Sequence, residues 1–125
     1  MKILLFIDDL GSGGAQRQIV NLAILLKKSN HEVKLLKYGS DDFFINKLIE
    51  NDIEVITIIS NNYCQRVIKI IKYVRKGWQN VLISFLDTPN FLANLSSLKT
   101  KKWITITSER NAIQSSFIGF KNRVY

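Results

Sequence analysis

Residues 10–23 read "LGSGGAQRQIVNLA", and this stretch decides how the rest of the chain folds. Gly11, Gly13 and Gly14 stand between an apolar run and a helical pattern. Glycines there permit positive φ and leave backbone N–H groups uncovered by side chains. They fall at a helix N-terminus, whose unpaired N–H groups and partial positive charge suit an anion or a sugar hydroxyl. Ser12 adds a hydroxyl. Upstream, "KILLFI" (2–7) is the continuous apolar run of a strand buried on both faces. Downstream, from Ala15, apolar positions Ile19, Leu22, Ala23 and Leu26 recur at helical spacing, with Lys27 and Lys28 in the last turn.

The same alternation continues. "EVKLLKY" (32–38) predicts a second strand, and Asp41 or Asp42 can cap a short helix through about Glu50. "IEVITII" (53–59) is rich in β-branched residues and predicts a third strand. Asn61 and Asn62 introduce a helix through about Lys76, ended by Gly77. "NVLISFL" (80–86) predicts strand four, Asp87-Thr88-Pro89 start a helix through Leu98, and "KKWITIT" (101–107) predicts strand five. A last apolar stripe, Phe117, Phe120 and Val124, follows. Strands alternating with helices across short loops predict an α/β fold, a Rossmann-like doubly wound parallel sheet. Right-handed crossovers favour strand order 3-2-1-4-5.

The order places the reversal point between strands one and four, where ligands bind in open α/β sheets. The loops "DDLGSGGAQ" and "LDTPN" therefore border one crevice, with "SERN" after strand five beside it. The crevice is not built for NAD. Gln16 stands where a third glycine is needed, and strand two ends in Lys37-Tyr38 rather than a ribose-binding acid. No Gly-Lys-Ser/Thr follows the glycines, so it is not a P-loop either. Asp8, Asp9, Asp87 and Glu109 lie at strand carboxyl ends and are the candidates to orient a hydroxyl or act as general base. Asp87 could equally cap its helix, Asp8 and Asp9 form a turn, and Glu109 and Arg110 make surface ion pairs. His31 precedes strand two at the opposite rim and is rejected as catalytic. No metal-ligand cluster occurs in the sequence, and no cofactor is expected.

The 125 residues are one domain's worth, with an ordinary globular composition of 46% apolar and 22% charged residues. A lone cysteine, Cys64, excludes an internal disulfide and fits a reducing compartment. "ILLFI" is too short for a signal-peptide core and runs into Asp8 and Asp9, and no stretch is long enough to span a bilayer. The net charge of +8 is uneven: residues 1–62 carry seven Lys/Arg against eight Asp/Glu, residues 63–125 eleven against two. A basic half points to a phosphate-bearing partner, or to a solvated lysine-rich surface. Between residues 63 and 76, Arg66, Lys69, Lys72, Arg75 and Lys76 gather on one side of the helical wheel. Val67, Ile70, Ile71, Val74 and Trp78 take the other. The pattern fits a basic face toward an anionic membrane, and also any exposed helix of an α/β domain. Without interleaved aromatics it does not read as a nucleic-acid surface.

"GSGGAQRQIVNLAILLKKSNHEVKLL" resembles the opening of group 1 glycosyltransferases, the retaining family of GT-B architecture. The residues that carry the resemblance are Gly13, Gly14, Ala15, Gln16, Arg17, Asn21, Leu22, Ala23, His31, Val33 and Leu35. "VLISFLDTPNFLANLSSL" and "ITITSERN" are similar to the family's fourth and fifth strands. Gln16 replaces the usual Glu, and Asn30 stands where Gly often precedes the His. Nothing in the chain corresponds to the family's second domain.

The resemblance implies residues 1–125 as an N-terminal, acceptor-binding domain, the N-terminal half of a GT-B fold whose gene continues past Tyr125. It implies transfer of a sugar from a nucleotide-sugar donor to an acceptor hydroxyl, on a glycan or lipid-linked acceptor, without a required metal. Gly11, Ser12, Gly13, Gly14 and Arg17 would lie against the donor phosphates or sugar. Asp87, Thr88 and Asn90 would line the acceptor side, with Ser108, Glu109, Arg110 and Asn111 beside the reacting centre. It implies a cytoplasmic enzyme, peripheral on the inner membrane face through the basic helix, and an apolar docking surface that could promote dimers. The alternative is a stand-alone binding or regulatory subunit serving a separately encoded catalytic chain.

Overall fold

The computed structural model describes residues 1–100 and 102–108. Ile3, Leu4, Leu5, Phe6 and Ile7 are all but inaccessible, because β1 (Lys2–Phe6) is the middle of a five-stranded sheet. Successive side chains of a strand point to opposite faces, and here each face meets its own helices. Ile3, Leu5 and Ile7 pack with Ile19, Val20 and Ala23 of α1 (Gly14–Lys28) and Leu48 of α2 (Ile45–Glu50). Leu4 and Phe6 pack with Ile70 and Val74 of α3 (Tyr63–Arg75) and Leu92 and Ala93 of α4 (Asp87–Ser96). Each such side chain contributes roughly 1.5–3 kcal/mol by leaving water, so β1 supports both layers.

The remaining strands are β2 (Glu32–Lys37), β3 (Glu54–Thr57), β4 (Val81–Phe85) and β5 (Ile104–Ser108). All neighbours run parallel, in order β3-β2-β1-β4-β5. Leu5 is flanked by Leu35 and Ile83, and Phe6 by Leu36 and Ser84. The Rossmann-like α/β arrangement and strand order expected from the sequence are the observed ones.

Several boundaries differ, for local reasons. β3 covers 54–57 rather than 53–59, because β2, its partner, ends at Lys37; the last bond runs from Ile58 N–H to the Lys37 carbonyl at 2.8 Å. β5 starts at Ile104, since Trp103 turns under α4 and donates its indole N–H to Ser97 Oγ at 2.9 Å. Neither Asp41 nor Asp42 caps α2. Phe44 is the N-cap residue, and both aspartates serve other contacts. α4 stops at Ser96 as the Ser96 and Ser97 hydroxyls donate back to the Leu92 and Ala93 carbonyls, both at 2.8 Å. Asn62 does cap α3, its side chain accepting from Gln65 N–H at 2.8 Å, and Gly77 ends that helix at φ +76°. The expected stripe at Phe117, Phe120 and Val124 lies outside the described residues.

Candidate functional site

β1 and β4 are adjacent and parallel, so the loops leaving them open onto the same edge of the sheet. The chain also changes face there, α1 and α2 packing on one side and α3 and α4 on the other.

The loop after β1 is folded around its own carboxylates. Asp8 Oδ1 accepts from Asp9 N–H at 2.6 Å, and Asp9 Oδ1 accepts from Gly11 N–H at 2.8 Å. Gln16, in the first turn of α1, donates its amide to Asp8 Oδ1 at 3.2 Å and Asp9 Oδ1 at 3.4 Å. Burial holds the Asp8 carboxyl above its ordinary range, and the neighbouring Asp9 charge pushes the same way; the hydrogen bonds from Asp9 and Gln16 oppose them. Gln16 is therefore not a mere departure from a glycine or glutamate pattern. It is a neutral donor facing two acids.

The loop after β2 is pressed onto this assembly. The Asp8 carbonyl accepts from Tyr38 N–H at 3.0 Å and Gly39 N–H at 2.7 Å. A Cβ on Gly39 would meet Asp9 Cβ at 2.7 Å, closer than side chains tolerate, so the approach requires glycine. Lys37, 1% exposed, donates to the Gly39 carbonyl at 2.7 Å and pairs with Asp42 at 2.9 Å. Leu10 N–H then donates to the Asp41 carbonyl, and Phe44 N–H to the Leu10 carbonyl, at 2.9 and 3.1 Å. The residue that stands where a ribose-binding acid would be is thus a buried clamp on the β2–α2 loop.

The glycine loop does not use the positive φ that its glycines permit. Of the described glycines only Gly77 adopts it. Gly11 answers a need for space instead: a Cβ there would lie 3.2 Å from Asp9 Oδ1 and 3.3 Å from Asp41 Oδ2. Ser12, Gly13, Gly14 and Arg17 are exposed, and no side chain caps α1. A ligand approaching the loop meets an open helix N-terminus.

Across the crevice, Asp87 and Thr88 are exposed in the first turn of α4. Leu86, just before them, sits at φ +79°, ψ 159°, a region populated essentially by glycine and costly for a branched side chain. Asp87 is the first residue of the helix, not its cap. Asn90 is buried at 9% exposure, and both ends of its amide are engaged. Its Oδ1 accepts from Ser84 Oγ at 2.6 Å, and its Nδ2 donates to the Ser108 carbonyl at 3.1 Å. Asn90 therefore ties β4, α4 and β5 together and faces inward. Ser108 is half-buried and also receives Leu86 N–H, at 3.3 Å. Glu109, Arg110 and Asn111 lie outside the described residues.

The basic side of α3 is less uniform than its helical wheel. Arg66 is half-buried, its guanidinium 4.9 Å from the Tyr38 ring centre, and does not belong to an outward face. Lys69, Lys72, Arg75 and Lys76 are exposed. Lys69 Nζ donates to the Ile59 carbonyl at 2.6 Å, and Arg75 Nη1 to the Ser96 and Leu98 carbonyls at 2.9 and 3.1 Å. A hollow of about 340 Å³ between Lys34, Glu54 and Trp78 lies at the opposite, amino rim of the sheet. Among the described residues no group of His, Cys, Asp and Glu could hold a metal ion, and no helix is long and apolar enough to cross a membrane.

Comparison with known proteins adds sequence to this geometry. An alignment of 122 positions, 30% identical, covers 89% of this chain and 33% of a Campylobacter jejuni protein. That protein is GalNAc-α-(1→4)-GalNAc-α-(1→3)-diNAcBac-PP-undecaprenol α-1,4-N-acetyl-D-galactosaminyltransferase. The chain is thus similar in sequence to part of one glycosyltransferase. No family model matches it. The crystal structure of a glycosyltransferase from Rickettsia africae superposes with TM-score 0.67 at 18% identity, over 98% of this chain and 34% of that one. This second likeness speaks for the fold. The glycosyltransferase-like chain thus spans about a third of the length of either protein.

Proposed function

We propose that this chain is the N-terminal, acceptor-side domain of a retaining GT-B glycosyltransferase of the group 1 family. The enzyme transfers a sugar from a nucleotide-activated donor to a hydroxyl of a lipid-linked glycan, in the synthesis of a cell-surface polysaccharide or glycolipid. The observation that carries this reading is the 30% identity, across nearly the whole chain, to a transferase whose name specifies an undecaprenol-diphosphate glycan. A donor domain following Tyr125 supplies most of the nucleotide-sugar contacts.

Within this domain the exposed N-terminus of α1, from Ser12 to Gly14, receives the donor phosphates or the transferred sugar by backbone N–H groups, with Arg17 at its margin. Asp87 and Thr88 face them from α4 on the acceptor side. Asp87 and Glu109 are the carboxylates that stand as candidates to assist the acceptor hydroxyl, and Arg110 and Asn111 are further acceptor-side candidates. Lys69, Lys72, Arg75 and Lys76 bring the domain to the anionic inner leaflet, which concentrates a lipid-borne acceptor. The enzyme is peripheral there, and self-association through exposed apolar surface is part of the same reading.

The test is transfer by the gene product that contains these residues and the sequence after Tyr125. Nucleotide-activated hexoses and N-acetylhexosamines are offered with undecaprenol-diphosphate glycans, and the product anomer is read by NMR. Transfer with retention is expected, and none by residues 1–125 alone. Robust turnover by the 125-residue chain overturns the domain assignment, and an inverted anomer overturns the mechanism.

A further inference from the structure

A cavity of about 170 Å³ opens where β2 and β3 end, between those strands and α3. Its lining includes Arg66, Tyr38, Ser40, Thr57 and Ser60, and no carboxylate. The Arg66 guanidinium stacks over the Tyr38 ring, yet its Nε is buried with no hydrogen-bond partner. Among the described residues no carboxylate forms an ion pair with this guanidinium; the pairs found there include Lys34–Glu54 and Lys37–Asp42. A buried donor left unpaired is costly, more so when it belongs to a charged group. Arg66 also lines the cavity and is only half-buried, so the rest of its guanidinium can receive an anion that enters from outside.

The surrounding chemistry narrows what enters. The fork of a guanidinium matches the oxygens of a phosphoryl group or carboxylate. Four hydroxyl-bearing residues, Tyr38, Ser40, Thr57 and Ser60, line the same space, and the Ser60 hydroxyl, which donates to the Asn62 carbonyl at 3.3 Å, retains its own lone pairs for a protonated oxygen. Burial pushes the Tyr38 phenol up to about 12, the Asp8 charge adding to the shift and Arg66 opposing it, so the phenol remains a donor at neutral pH. A cationic guanidinium among hydroxyl-bearing residues, with no carboxylate in the lining, suits a group with several anionic oxygens. We infer that this cavity is a phosphoryl-group subsite in which Arg66 is the principal donor, distinct from the helix N-terminus of α1. The inference does not rest on the transferase reading, because binding is measured with no donor sugar present.

The test is titration of the ¹⁵N-labelled chain with inorganic phosphate at ionic strength matched with chloride. Saturable shifts of the Gly39, Ser40, Ser60 and Arg66 amides are expected. Arg66→Gln should weaken the affinity about tenfold or more, Arg66→Lys should restore part of it, and Lys28→Gln should leave it unchanged. Shifts confined to the exposed lysines of α3, absence of saturation, or equal affinity in Arg66→Gln each overturn the subsite. Should Arg66→Gln lose its amide dispersion, the location of the wild-type shifts decides. A second arm adds phosphatidylcholine vesicles bearing a long-chain phosphate monoester. Release of bound phosphate by these vesicles, and not by plain ones, identifies a lipid headgroup as the ligand; its retention identifies a soluble phosphoryl compound. Either result supports the subsite.

Discussion

The Gln16 amide donates to the Asp8 carboxylate at 3.2 Å, and the same nitrogen lies 3.4 Å from Asp9 Oδ1. One neutral side chain thus separates two acids at the end of the central strand. A glutamate at this position would place a third carboxylate against them and remove both donations. Gln16→Glu is expected to lower stability at neutral pH by about 1–3 kcal/mol, with much of the loss recovered in acid. Urea midpoints measured against pH check this; an unchanged midpoint at pH 7 would show that the two bonds contribute nothing.

Asp8 carries a pH signature of its own. Its carboxyl is raised above 3.8, chiefly by burial, so the folded chain binds a proton there more tightly than the unfolded one. Stability then falls as pH rises from about 3.8 to the raised value, and the penalty persists above it. Asp8→Asn keeps an acceptor for Asp9 N–H and Gln16 but has no proton to lose. It should flatten that decline and be at least as stable as the parent at neutral pH. A decline of the same slope in the variant would place its origin elsewhere.

Lys37 and Asp42 should respond unequally. Asp42 is half-exposed and water can replace its partner, whereas the Lys37 ammonium is enclosed. Lys37→Met should be close to neutral in overall stability, while Asp42→Ala, which strands the buried charge, should cost about 2 kcal/mol, below the range for fully enclosed pairs. Both should speed hydrogen exchange at Leu10 and Phe44, whose amides depend on the clamped loop. The opposite order of stabilities would exclude the clamp.

At Leu86 the usual ranking of alanine and glycine should reverse. Both substitutions remove the same packing, but only glycine relieves the backbone at φ +79°. Leu86→Gly should therefore be more stable than Leu86→Ala by about 1–3 kcal/mol, as read by thermal unfolding.

The glycines separate structure from ligand approach. A Cβ on Gly14 meets nothing within 4 Å, so Gly14→Ala should fold as well as the parent. If the α1 N-terminus receives donor, the complete enzyme carrying it should lose affinity for the nucleotide sugar, seen as a raised KM. Gly39→Ala meets Asp9 Cβ and the Asp8 carbonyl and should cost about 1–3 kcal/mol. A Gly14→Ala enzyme with unaltered kinetics would remove that loop from the donor site.

The sheet order was legible because "KILLFI" could only be a strand buried on two sides, and each later apolar run was separated from it by a helix-length interval. The convergence of the first and fourth loops followed from that order alone. Side-chain commitments were not legible. Asn90 is a polar residue in a loop-like "DTPN" segment, and nothing in its neighbours reveals that Ser84 and Ser108 consume its amide. Arg66 falls among basic residues on a wheel, but the ring of Tyr38, distant in sequence, draws it inward. Asn62 was legible as a cap, and Gln16 also carried a signal. An amide a turn beyond two adjacent aspartates is a donor set against acceptors, and that chemistry is visible without coordinates.

β1 gives alternate side chains to opposite layers: Leu5 to the helices on one side, Leu4 and Phe6 to those on the other. Neither layer can melt alone, since loosening the strand for one withdraws the wall of the second. The domain should consequently lose its structure in one cooperative step, with no half-folded survivor, even though its two interiors never touch.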